Sequence, residues 1–330
     1  MSVAQPSERL EIIKQICEEK AYHFEYVDNF TQLLAKVSIN DKAAFFNFSQ
    51  YPLNNATSST LVRDKAFTYT LLEKAGFKIP QGDYFFITHK WRESRNDGKE
   101  LSDALRYAKQ LGYPVFAKPL NGTFGNFANL IHTEEELLFH CQKASEKYFA
   151  MIIQQPVFQK EHRIFVMDGK VRFAYCKAQA VIKGDGVKTI AELIKQFISQ
   201  TPTIHSDYKL NETFIDENLK KHTLNKSSIL ENNYLFEISP NANPNSGGFV
   251  DDLRLNVSPA CEQWAADVAK SAGLRVCGID FFTENNLDDA PEDFTIIELN
   301  SNPALGTMIK LGHEPLVKSI LADMLEKSLY

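Results

Sequence analysis

Apolar positions along the chain switch repeatedly between a helical and an alternating period, which predicts helices and strands in turn. In residues 8–20 (ERLEIIKQICEEK), Leu10, Ile13, Ile16 and Cys17 share one helical face. HFEYVD and AAFFNF read as brief strands, each followed by a polar turn. Over 63–75 (RDKAFTYTLLEKA), Ala66, Phe67, Thr70, Leu71 and Ala75 fall on one side of a predicted helix, and Gly76 with Pro80 supplies its stop. Lys65 lies in the first turn, where the helix dipole disfavours a cation without an anionic partner. From the residues alone it reads as a solvated lysine.

After a charged loop at 92–100, SDALRYAKQLG is helical, and a strand at 114–117 ends in Lys118. Pro119, Gly122 and Gly125 then break the backbone before another strand. A glycine-bearing turn with a lysine at its base can hold phosphate oxygens on main-chain N–H groups, and a plain hairpin accounts for the same residues. The GK[ST] ending of a Walker loop is absent. Thr133 with Glu136 and Thr189 with Glu192 have capping-box spacing. Between them, MIIQQPVF is a buried strand with a proline break, and Asp168-Gly169 between alternating runs signals a hairpin. That hairpin carries Glu161 and Arg163 on one face and closes on Lys177. Residues 201–235 are polar and read as a surface excursion with some helix. PNANPNSGGFV has loop composition. Ser258, Pro259 and Gly273 bracket a helix as N-cap, N1 and stop, and EPLVKSILADMLEKSL is a final amphipathic helix.

The most informative stretch is GIDFFTENNLDDAPEDFTIIELNSNP, at 278–303. Its two apolar runs, 276–282 and 294–299, read as strands, and each carries an acid, Asp280 and Glu298. Alternation turns Glu298 and Asn300 the same way. Asp280, Glu298 and Asn300 together offer hard oxygen donors suited to Mg²⁺, with polar strand ends reaching water as the other reading. Buried carboxylates are uncommon unless paired or metal-bound.

Composition narrows the setting. With 330 residues, 44% hydrophobic and 24% charged, the chain matches a soluble globular protein of two or three packed units. A net charge of −6 argues against a broad nucleic-acid face. The five cysteines, Cys17, Cys141, Cys176, Cys261 and Cys277, are widely spaced without a CxxC pair, which fits a reducing cytoplasm better than a disulfide framework or zinc cage. No signal-peptide core is visible, and no run reaches the ~18 apolar residues of a membrane span. A cytoplasmic location is expected.

Taken in order, these segments resemble the ATP-grasp superfamily, and within it the modules of cyanophycin synthetases and bifunctional glutathione synthetases. DKAFTYTLLEKAGFKIPQG resembles the entry helix. YPVFAKPLNGTFGN resembles the strand and phosphate loop, and KEHRIFVMDGKVRFAYCKAQAVIKGDGVKTIAELI the central hairpin with Gly184-Asp185-Gly186. NSGG at 245–248, GIDFF and IIELNSNP resemble the loop and metal-binding pair that follow. The resemblance implies an α+β ATP-grasp fold in which two α/β subdomains clasp ATP. It divides the chain into a short pre-grasp segment, 1–61, and an ATP-grasp domain, 62–330, with a lid of about 114–155.

The resemblance also implies roles. Lys65, Lys118, Gly122 and Gly125 would meet nucleotide phosphates, and Gln154, Pro156 and Val157 would form the adenine hinge. Glu161 would take the ribose hydroxyls, Asp280, Glu298 and Asn300 would hold Mg²⁺ or Mn²⁺, and Arg163 and Lys177 would act on the transferred phosphoryl group. Phe127 stands where relatives commonly carry a third glycine, Lys177 where the subgroup has arginine, Gln154 where an acid is usual, and Ala304 where a glycine is common. The implied function is ATP-dependent carboxylate–amine ligation through an acyl phosphate, on amino acids or peptides. A nucleotide-binding accessory protein is the alternative, and a kinase or phosphodikinase a third reading. Small-molecule substrates and a homodimer are the admitted partners, with neither nucleic acid nor membrane expected.

Overall fold

The structure, a computed structural model, describes residues 8–47, 50–90, 92–122, 125–201, 208 and 210–330. Thr123 and Phe124 in the glycine-bearing turn, Phe48 at the end of AAFFNF and much of the start of the polar 201–235 stretch lie outside the described residues.

The N-terminal helix α1 (Glu8–Lys20) buries the expected face, widened by Ile12. Strands β1 (His23–Tyr26), β2 (Leu34–Ile39) and β3 (Lys42–Asn47) form an antiparallel sheet in sequence order. The apolar pattern does not predict β2, in which Ala35 and Val37 alone are fully buried. A short helix, α2 (Ala56–Leu61), follows an Asn55 N-cap.

In α3 (Lys65–Lys74) the side chain of Asp64 caps the amides of Ala66 and Phe67. The interior face of this helix corrects the predicted one. Lys65, Thr68, Tyr69 and Leu72 point inward, whereas Phe67 is 62% exposed. Apolar spacing gave the wrong phase because three of the inward residues have polar ends that find partners in the interior.

The next unit contains β4 (Gly82–Phe86), α4 (Leu101–Leu111), β5 (Val115–Pro119), β6 (Asn129–Ile131), α5 (Glu134–Ala144) and β7 (Ala150–Gln154). Its antiparallel sheet has the order β4-β7-β5-β6. One face packs against α4 and α5 through Ala104, Ala108, Leu137, Cys141, Met151 and Ile153. The sheet starts at Gly82, upstream of the 114–155 span. Gly82 admits no side chain, since a Cβ there would lie 2.5 Å from that of Gln154. The Thr133 cap accepts the Glu136 amide, but the Glu136 carboxylate reaches back to the His132 amide and not to that of Thr133.

Strands β8 (Lys160–Met167) and β9 (Lys170–Ala178) form the predicted hairpin. Asp168 and Gly169 have φ of 48° and 74°, the pair of positive values that a type I′ turn requires. Then β10 (Val181–Lys183), α6 (Ile190–Gln200), α7 (Glu212–Lys221) and β11 (Leu235–Glu237) enclose a core of their own. The polar stretch is therefore more than a surface excursion, because Ile215, Leu219 and Leu230 are buried in it. The capping box of Thr189 and Glu192 is complete.

The chain ends with β12 (Phe249–Arg254), α8 (Pro259–Ser271), β13 (Val276–Thr283), β14 (Thr295–Asn300), α9 (Gly306–Lys310) and α10 (Glu314–Leu329). Ser258 caps α8 as expected. The main sheet has the antiparallel order β12-β9-β8-β13-β14. One face, with Ile164, Val166, Cys277, Ile279 and Phe281, packs against α8 and α3. The other, with Phe165, Phe173, Tyr175 and Val276, shares a core with α1, α10 and the N-terminal sheet. The described part of the 1–61 segment is thus integral to the main core. Among the described residues no helix is long and apolar enough to cross a membrane.

Candidate active site

The apolar cover over the second face of the main sheet stops at the ends of β13 and β14, and charged residues take over there. Register decides which ones meet. Glu298 lies opposite Asp280, Asp280 opposite Arg163, and Glu161 opposite Lys177. Directly paired residues project from the same face of a sheet. Gly278 lies opposite Asn300. A Cβ on Gly278 would come within 2.7 Å of the Pro303 ring, so its absence lets the chain after β14 fold back over the strand.

The charges compensate one another. Arg163 grips Asp280 with Nε to Oδ1 at 2.6 Å and Nη2 to Oδ2 at 2.5 Å. Lys177 Nζ lies 2.5 Å from Glu161 Oε1 and 3.1 Å from Asp280 Oδ1. Lys65 Nζ lies 3.4 Å from Glu298 Oε1 and donates to the Gly122 carbonyl at 3.3 Å. Burial favours the neutral acid at Asp280, but Arg163 and Lys177 outweigh it and hold the carboxyl below the usual range. Burial and Arg163 likewise work against a charged Lys177, while Asp280 and Glu161 win and keep it protonated more firmly than a free lysine.

A second lysine enters from the other sheet. Lys118 on β5 and Gln154 on β7 share the face opposite α4 and α5, and both are buried. Lys118 Nζ donates to the Tyr69 hydroxyl at 2.7 Å and lies 3.3 Å from the Ile297 carbonyl of β14. The Tyr69 hydroxyl donates to that same carbonyl at 2.9 Å. Burial is the largest influence on Lys118 and lowers its pKa to about 8, against attraction by Glu298, Glu161 and Asp280. Tyr69 is the site residue that the apolar pattern misses. Its signal is its position four residues after Lys65, one helical turn along the same face.

The glycine-bearing turn carries Gly122 beside Lys65 and Gly125 at φ 70°. Phe127, at φ 56°, holds the left-handed conformation that favours glycine. It is retained by packing against His140 and Tyr148 and by an Nε2 contact of His140 to its carbonyl at 3.1 Å. Pro156 and Val157 are half-buried in the link between β7 and β8, which joins the two sheets, and Gln154 at its start is 3% exposed. Lys65, Lys118, Glu161, Arg163, Lys177, Asp280 and Glu298 thus form one cluster with Gly122 beside Lys65, while Gly125, Pro156 and Val157 lie on the turn and link.

Among the described residues no three His, Cys, Asp or Glu side chains gather as a cation cage. The expected donor set is different, two carboxylates and a carboxamide, and these hard oxygens fit Mg²⁺. Asn300 strengthens the fit, because its Nδ2 is buried without a hydrogen-bond partner. A half-turn of the amide would put oxygen there. Two hollows lie elsewhere, one lined by Arg275 and Lys327, the other of about 360 Å³ beside the loop after β14 between Arg9, Tyr51 and Asn302.

No family model matches the chain. Over 302 residues it is 27% identical to the glutathione biosynthesis bifunctional protein of Streptococcus agalactiae, covering 87% of this chain and 38% of that protein. Over 254 residues it is 29% identical to the cyanophycin synthetase of Synechocystis, covering 74% and 28%. The chain thus spans less than half the length of the curated relatives it matches. A bifunctional glutathione synthetase from Pasteurella multocida superposes with a TM-score of 0.57 at 19% identity, over 96% of this chain and 44% of that one. The chain has the ATP-grasp fold and is related in sequence, over most of its length, to the bifunctional glutathione-biosynthesis proteins and the cyanophycin synthetases.

Proposed function

We propose that this chain is an ATP- and Mg²⁺-dependent carboxylate–amine ligase that forms an amide bond on amino-acid or peptide substrates. The observation that carries the reading is the meeting on β14 of Lys65 from α3, 3.4 Å from Glu298, and Lys118 from β5, 3.3 Å from the Ile297 carbonyl, with Asp280 of β13 in register opposite Glu298. Phosphoryl transfer demands charge neutralisation and in-line positioning more than a protein nucleophile, and the site supplies cations and carboxylates of that kind.

In this reading Lys65, Lys118 and the turn at Gly122 and Gly125 hold the phosphates. Gln154, Pro156 and Val157 receive the adenine, and Glu161 the ribose. Asp280, Glu298 and Asn300 hold Mg²⁺, which when bound neutralises phosphate charge. Arg163 and Lys177 stabilise the oxygens of the phosphoryl group as it passes to a substrate carboxylate, giving an acyl phosphate; an amine then attacks its carbonyl carbon and phosphate leaves. The sheet from Gly82 to Gln154 serves as the lid. The names of the relatives, which make glutathione and cyanophycin, support amino-acid-like substrates.

Incubation with ATP, Mg²⁺ and a panel of amino acids and short peptides, followed by mass spectrometry, tests this. ADP, phosphate and a condensation product are expected. AMP with pyrophosphate would exclude the acyl-phosphate route, and nucleotide binding without turnover across the panel would return the accessory-protein reading.

A further inference from the structure

Both oxygens of the Asp280 carboxylate are engaged by protein cations. Arg163 takes them through a two-point fork at 2.6 and 2.5 Å, and Lys177 approaches Oδ1 at 3.1 Å. Asp280 is 2% exposed, so water gives the carboxylate little compensation if these partners leave. Glu298 likewise has Lys65 beside it, and Glu161 has Lys177. Each of these three carboxylates thus has a protein cation beside it in the ligand-free site.

Resting on the nucleotide-site reading above, we infer that Arg163 and Lys177 act as internal counter-ions that keep a divalent metal off Asp280 until a nucleotide draws them away. A cation alone must displace a buried fork without offering Arg163 or Lys177 a new partner. A nucleotide phosphate offers one, because guanidinium binds phosphate with the same planar fork that it presents to a carboxylate. Metal and nucleotide binding are therefore coupled through these side chains, and by linkage each tightens the other by the same factor. Asn300, with its unpartnered Nδ2, is the donor residue not held by such a counter-ion.

The test titrates Mn²⁺ into the full chain without nucleotide, reading free Mn²⁺ by electron paramagnetic resonance, and measures ADP affinity separately by calorimetry. Wild type should bind Mn²⁺ alone weakly. Arg163→Met should bind Mn²⁺ alone more tightly, by roughly 5- to 150-fold, the usual span of such couplings, while losing affinity for ADP. Arg163→Lys keeps the charge but frees one carboxylate oxygen, so it should move the same way by less, and it carries the test if Arg163→Met does not fold. Chelation of Mn²⁺ by ADP cannot produce this change, since the metal titration contains no ADP. ADP binding together with unchanged Mn²⁺ affinity in the folded variants overturns the counter-ion role alone. Failure of wild type to bind ADP overturns the nucleotide site and this inference with it.

Discussion

The ammonium of Lys118 lies 2.7 Å from the hydroxyl of Tyr69, and that hydroxyl in turn donates a hydrogen bond to the Ile297 carbonyl at 2.9 Å. One oxygen thereby ties α3, β5 and β14 together, and it fixes a lysine of one sheet against the strand that carries Glu298. Tyr69→Phe removes the pin and keeps the ring. It should cost about 1 kcal/mol, the usual net worth of a hydrogen bond, and weaken nucleotide binding by releasing Lys118. Denaturant midpoints and ADP calorimetry check both effects, and unchanged ADP affinity would mean that Lys118 holds its place without the hydroxyl.

Lys118 also sets a pH dependence. Burial lowers its pKa from 10.5 to about 8 in the folded chain. Between those values the unfolded chain binds a proton that the folded chain lacks, so stability rises with pH there. The contribution is fully present above 10.5 and lost as pH falls through about 8. The denaturation midpoint of wild type should therefore rise relative to that of Lys118→Met between pH about 8 and about 10. In the same range an anionic nucleotide should draw a proton onto Lys118, giving a binding enthalpy that varies with the ionisation enthalpy of the buffer.

The two carboxylates respond to removal differently. Asp280→Ala leaves Arg163 and Lys177 without their shared buried partner and should destabilise the chain by about 3–5 kcal/mol. Glu298 keeps a third of its side chain in solvent and faces Lys65, which also holds the Gly122 carbonyl, so Glu298→Ala should destabilise the chain less than Asp280→Ala does while abolishing turnover. Thermal melts separate the pair. Full activity in Glu298→Ala would remove that residue from the mechanism.

Gly278 tests the backbone under the site. In Gly278→Ala the new Cβ meets the Pro303 ring at 2.7 Å and the Asn300 Cβ at 3.5 Å. Overpacking of this kind costs about 1–3 kcal/mol. It should displace the loop after β14 and lower Mn²⁺ affinity in the presence of ADP, whereas an unchanged melting temperature would mean that Pro303 yields freely.

Much of the architecture is written in local chemistry. The caps at Thr189 and Ser258, the Asp168-Gly169 turn and the period of 276–300 act over a few residues, so they survive reading without a partner. Order along the chain also carried the site residues, through the resemblance that their spacing supports. What spacing cannot carry is phase and charge. The inward face of α3 depends on a cleft where Lys65, Thr68 and Tyr69 are satisfied, and β2 and β4 become strands through the neighbours that complete their ladders. Lys65, a solvated lysine by local criteria, is buried because Glu298 and the Gly122 carbonyl meet it from elements distant in sequence. The sequence by itself determined which residues could bear charge in this site. Tertiary structure decided their pairing, because Asp280 and Arg163 are 117 positions apart, and only strand register and burial, which strengthens a pair at close range, bring them together.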